Sequence, residues 1–282
     1  MFNRNTLKTF VLLAALGGLM IGVGSIWGAT GAAIGLGIGL VFVGGSYWFS
    51  DTLAIKSARA VPVTREEQPR LYAIVEELAM RADMPMPKVY ISPNQQPNAF
   101  ATGRNPQHAA VAVTAGILQV LDEEELRAVL AHEMSHVANR DILIGSVAAA
   151  VAMGITFIAR MIMWGAMFAG GRDRDNPFGL LAMAILAPLA AILLQMALSR
   201  SREFEADRSG AELIGSGDAL ARALQKIEAY AKQTPMQVAP EQASAYIINP
   251  FTGRQVRFSN LFRTHPPTED RVARLTDRTH HA

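Results

Sequence analysis

Apolar residues follow two rhythms along this chain of 282 residues. Long runs occupy residues 7–26, 30–49, 142–169 and 178–198, and the segments between and after them mix polar with apolar positions. A run of about 20 residues, rising ~1.5 Å each as a helix, crosses the ~30 Å hydrocarbon core of a bilayer. The first two runs are separated by almost nothing and predict a transmembrane hairpin; the second two predict another. Arg160 interrupts the third run, and either snorkels to an interface or faces protein. Pro188 and Gln195 in the fourth are tolerated in a packed membrane helix. Arg4 before the first run and Lys8 at its start also fit a signal peptide, but the run exceeds the usual ~7–15 apolar residues and a second span follows at once, which predicts a retained anchor.

The mixed segments carry shorter periods. Leu71, Ile74, Val75 and Leu78 form an apolar stripe within 66–82, the mark of a core-facing helix. "KVYIS" at 88–92 alternates as a strand, and "NAFAT" and "HAAVAV" flank the turn-like "GRNPQ", predicting a hairpin. Asp122 with Glu125 three residues on predicts a capped helix start. The expected fold is therefore α+β and mainly helical, a polytopic membrane protein of about four spans. Residues 1–50 and 142–198 are its two transmembrane hairpins, and 51–141 with 199–282 make up one folded domain in two parts.

Composition supports a membrane protein, because half of the residues are hydrophobic and only 18% are charged. A formal charge of +2, evenly spread, argues against a nucleic-acid partner. Arg4 and Lys8 lie at the N-terminal end of the first span, whereas Lys56, Arg59 and Arg65 follow the second, which places both hairpin ends in the cytoplasm. The polar domain then faces the cytoplasm from a multi-pass position in the cell membrane, and the connection "GGRDRDNP" at 170–177 lies outside. Cysteine is absent, so any metal must be held by His, Asp or Glu.

Candidate chemistry begins at "LRAVLAHEMSHVANRD", residues 126–141. Four residues along a helix advance ~6 Å and turn ~40° past a full circle, so His132 and His136 project from one face and can share an ion. Glu133 lies ~100° round from His132, within reach of a metal-bound water without being a ligand. A zinc peptidase needs this arrangement: the metal lowers the pKa of its water to ~7 and a carboxylate takes the proton during attack on a carbonyl. A third ligand is required. "SRSREFEADRSGAELIG", residues 199–215, offers Glu203, Glu205, Asp207 and Glu212 on a helical pattern, with Glu203 and Asp207 on one face and Glu205 pointing elsewhere.

Taken together, "HEMSH", "REFEAD" and "THPPTEDRVARL", with paired N-terminal spans and an apolar hairpin between the metal motifs, resemble the HtpX family of membrane zinc metalloproteases, relatives of the type I CAAX prenyl proteases. The resemblance covers nearly the whole chain. It implies a zincin-type domain (HExxH plus Glu) binding one Zn2+ per chain through His132, His136 and Glu203, with Asp207 fixing a histidine. It further implies that His265, followed by Pro266, and Arg271 lie near the catalytic centre, where both cations stabilise the oxyanion. Asn98, Ala99 and Phe100 become the cleft's edge strand, to which an extended substrate adds through main-chain hydrogen bonds. The implied activity is endopeptidase cleavage of cytoplasmic segments of misfolded or unassembled membrane proteins, in quality control and stress response. Precursor or prenyl processing is the alternative enzyme role, and a non-catalytic membrane scaffold the alternative without chemistry. His280 and His281 match no ligand spacing and are expected in a terminal tail.

Overall fold

A computed structural model describes residues 50–141, 200–233 and 266–277, with isolated positions between 14 and 48. The chain divides into two compact units, one of residues 1–47 with 143–198 and one of 48–142 with 199–282. The four expected spans lie wholly or largely outside the described residues, as do Arg160, the 170–177 connection, His265, His280 and His281. Among the described residues no helix is long and apolar enough to cross a membrane.

The second unit begins with helix α1 (Ser50–Ser57) and the short strand β1 (Val61–Pro62). Helix α2 (Pro69–Arg81) starts three residues later than its apolar stripe predicts, because Pro69 fits the first turn, where its missing N–H has no partner to lose. Strands β2 (Lys88–Ser92), β3 (Ala99–Thr102) and β4 (Ala110–Thr114) complete a four-stranded sheet in the order β1-β2-β4-β3. Strands β3 and β4 form the expected antiparallel hairpin, with Phe100 opposite Ala112. Gly103, at φ 126°, turns the chain out of β3 in a conformation that L side chains rarely adopt. Strands β2 and β4 run parallel, which leaves β3 as an edge.

Helix α3 (Ala115–Val120) leads into α4 (Glu123–Ala138), and a helix over 200–214, α5, precedes α6 (Asp218–Gln233) and α7 (Thr268–Thr276). Helix α4 is the central element. It packs on β3, α2 and α6, and its Val129 and Leu130 are completely buried beside Leu78, Val111, Ile117 and Leu224. Removing one such side chain from water contributes ~1.5–3 kcal/mol. At its N-terminus the Asp122 carboxylate accepts from the Glu125 N–H at 2.9 Å and the Glu125 carboxylate accepts from the Asp122 N–H at 3.1 Å, a reciprocal cap. Lys226 on α6 donates to buried Glu125 at 2.7 Å, so this carboxylate is neutralised where it enters the core. The cap and core together hold α4 in a fixed rotation, which fixes where its last two turns point.

Candidate metal centre

Those last turns carry His132, Glu133 and His136, and the facing helix α5 carries Glu203 and Asp207. One donor atom each from His132, His136 and Glu203 lies within 4.8 Å of the other two. Glu203 reaches His136 Nε2 at 3.5 Å and His132 Nε2 at 3.8 Å with its two carboxylate oxygens. Tetrahedral zinc at ~2.0–2.2 Å from each ligand requires donors separated by about 3.3 Å, so small side-chain rotations close this set onto an ion.

The rings are also oriented for it. His132 Nδ1 lies 2.9 Å from Asp207 Oδ1, and His136 Nδ1 lies 2.7 Å from Asp141 Oδ2. A carboxylate accepts the Nδ1–H and leaves the lone pair on Nε2, the nitrogen that faces Glu203 in both cases. The donor set and its supports therefore fit a divalent cation. With no cation bound, burial disfavours a charge on His136, but the hydrogen bond to Asp141 and the fields of Glu203 and Glu133 outweigh it and lift the imidazole to about 9, so a cation binding at Nε2 displaces a proton. Burial likewise raises the Asp207 carboxyl, and Arg271 and His132 overcome that effect, holding it down to about 2.

Glu133 stands beside the donors without joining them. One of its oxygens is 4.0 Å from His132 Nε2, and the other accepts from the Ala101 N–H on β3 at 3.3 Å. Because the Thr114 N–H donates to the Asn98 carbonyl, antiparallel alternation turns the Phe100 and Thr102 main-chain groups toward β4 and those of Ala99 and Ala101 toward the free edge. Asn98 and Ala99 are buried and Phe100 is partly buried on this edge.

Arg271 sits fully inside, on α7. Its guanidinium grips Asp207 through two hydrogen bonds of 2.9 and 2.7 Å, lies 3.4–3.5 Å from both His132 ring nitrogens, and comes within 3.6 Å of Glu203. Glu205 points away, paired with Arg208 at 2.6 Å, and Glu212 is exposed.

Three residues were not anticipated from the sequence. Asp141 is brought back to His136 by a helix end in which Arg140 takes φ 57°. Arg202 donates to the Asp141 carbonyl at 2.9 Å and so ties α5 to that turn. Gly210 lies where α5 meets α4 backbone to backbone, since a β-carbon there would stand 2.9 Å from His132 N and 3.0 Å from its Cα. Only Gly210 left a trace in the sequence, seven residues after Glu203 and three after Asp207, on the same helical face.

A helix pair presenting two histidines and a glutamate, with a second carboxylate beside them, defines the class as metal-dependent peptidases. Residues 65–279 match the model of Peptidase family M48, so the chain belongs to that family and is a metalloprotease. It is 48% identical over 280 residues to a protein named Protease HtpX homolog from Desulforapulum autotrophicum, covering 96% of this chain and 89% of that one. A protein of the same name from Syntrophotalea carbinolica is 50% identical over 281 residues, covering 98% and 99%. Among solved structures, Ste24p of S. mikatae shares the fold at a TM-score of 0.57 and 18% identity, over 82% of this chain and 55% of Ste24p.

Proposed function

We propose that the chain is a membrane-anchored zinc endopeptidase in which His132, His136 and Glu203 hold the metal. The observation carrying this reading is the shared polarity of the two rings: each Nδ1 is occupied by a carboxylate and each Nε2 is turned to Glu203. Zinc in that position supplies Lewis acidity and lowers the pKa of water to ~7. Glu133 then takes a proton from water as oxygen adds to the scissile carbonyl, and returns it to the leaving amine as the C–N bond breaks, so that one residue serves as base and acid in turn. The Ala101 N–H holds its second oxygen and thus its orientation.

Arg271 directs its donors at Asp207 and the face of His132, a geometry that supports a positioning role. The oxyanion is then assigned to His265. Asn98, Ala99 and Phe100 bind substrate as the edge strand; the outward groups of Ala99 and the carbonyl of Ala101 offer the main-chain hydrogen bonds. A substrate that adds to a strand must be unfolded there. This suits cytoplasmic loops and tails of misfolded or unassembled membrane proteins, cleaved where they leave the bilayer, with the protease domain on the cytoplasmic side of the cell membrane.

The test uses the full chain in detergent with an unfolded polypeptide as substrate. Cleavage should stop on chelation and return with one equivalent of zinc. Cleavage that continues in metal-stripped protein would overturn the reading.

A further inference from the structure

His136 differs from His132 in having 17% of its side chain exposed, against 1%, while the buried Arg271–Asp207 pair lies against His132. Its Nδ1 is held by Asp141, which is itself 4% exposed and lies only five positions along the chain. Helix α4 cannot bring residue 141 to residue 136 by its own period, because positions five apart fall on different faces. The chain leaves the helix instead. Asn139 still donates to the Ser135 carbonyl at 2.8 Å, Arg140 donates to Val137 at 3.0 Å, and the left-handed Arg140 swings Asp141 back under the imidazole.

Asp141 has a second attachment. Its carbonyl accepts from Arg202, the residue before Glu203, so its side chain sets one donor ring while its main chain anchors the helix that carries another donor. We propose that Asp141 is the positioning residue for the His136 side of the metal site, acting through the tautomer and orientation of His136 and, through Arg202, on the placement of Glu203. This rests on the reading of the site as a zinc centre. The buried carboxylate accepts the Nδ1–H, makes Nε2 the basic nitrogen, and enters no bond to metal or substrate.

Asp141→Asn keeps shape and removes charge, which makes it the informative substitution. Zinc affinity is measured by competition with a chromophoric chelator on the full chain in detergent, alongside the melting temperature of the metal-free protein. Wild type should take up one equivalent of zinc; failure here overturns the zinc centre itself. Given that uptake, Asp141→Asn should weaken zinc ~10–100-fold, as loss of such supporting groups does elsewhere, with the metal-free melting temperature nearly unchanged. Affinity within twofold of wild type overturns the role of Asp141, as does a lower metal-free melting temperature with affinity intact. Arg202→Ala removes the Arg202 hydrogen bond to the Asp141 carbonyl but leaves the Asp141 carboxylate, and should weaken zinc less than Asp141→Asn. The opposite ranking would place the effect in the helix tie rather than in the ring.

Discussion

His132 and His136 share one helix face and aim the same nitrogen at Glu203, yet they are held by different kinds of structure. The His132 side is assembled from distant segments: Asp207 on α5 and Arg271 on α7 are both buried and meet in a two-pronged ion pair against the ring. The His136 side is local, a turn closing five residues later on Asp141. The first couples the metal site to the packing of three helices, so damage there should spread into stability. The second orients a ring at the rim, so damage there should stay in metal affinity.

Glu203 belongs to both sides, and its loss should have the largest effect. Glu203→Ala should abolish zinc binding and cleavage, whereas Glu205→Ala, at a residue paired outward with Arg208, should leave metal content unchanged. Metal analysis of the two purified variants decides this, and zinc retained by the first and lost by the second would move the ligand. The contrast between the histidines sharpens with Asp207→Ala. It leaves the Arg271 guanidinium buried without its main counter-charge, at a cost of ~3–5 kcal/mol. The metal-free melting temperature should fall steeply, in contrast to Asp141→Asn.

Gly210→Ala probes the spacing between α4 and α5. In an unobstructed helix the change would stabilise by up to ~1 kcal/mol. Here the new β-carbon meets main-chain atoms of His132, and overpacking of that kind costs ~1–3 kcal/mol. The stability gained on zinc binding should shrink in a thermal melt; a higher metal-free melting temperature with full zinc response would show that the helices are not spaced by this residue. The smallest effect belongs to the far end of α4. Asp122→Ala removes the cap and should cost ~1 kcal/mol while sparing zinc affinity. The Glu125 N–H and nearby Lys226 depress the Asp122 carboxyl, so its contribution is complete above the ordinary aspartate range and disappears as pH falls through the lowered value. Denaturant melts across that acid range should converge for wild type and Asp122→Ala.

Features set by neighbours in sequence were legible before the structure. The helical spacing of His132 and His136, the Asp122–Glu125 cap, the strand at 88–92 and the hairpin around Gly103 all follow from local periods and turn chemistry. Asp141 was not legible, since its role depends on a left-handed arginine at 140, a conformation for which arginine carries no signal. Arg271 could be placed near the centre only by resemblance, and its grip on Asp207 spans 64 residues of chain. The role of Gly210 was not legible, because a close approach between two backbones is a property of the packed pair.

Assignment of Glu133 to water rather than to metal is the claim on which the catalytic account turns. Its carboxylate lies 4.0 Å from His132 Nε2 and is held by the edge strand, beside the donor set and outside it. Glu133→Gln preserves the shape and the contact with Ala101 but can no longer accept a proton. Zinc content and cleavage of an unfolded polypeptide, measured on the same preparation, should show near-stoichiometric metal with cleavage abolished. Substantial cleavage by that variant, or loss of its zinc, would contradict the account.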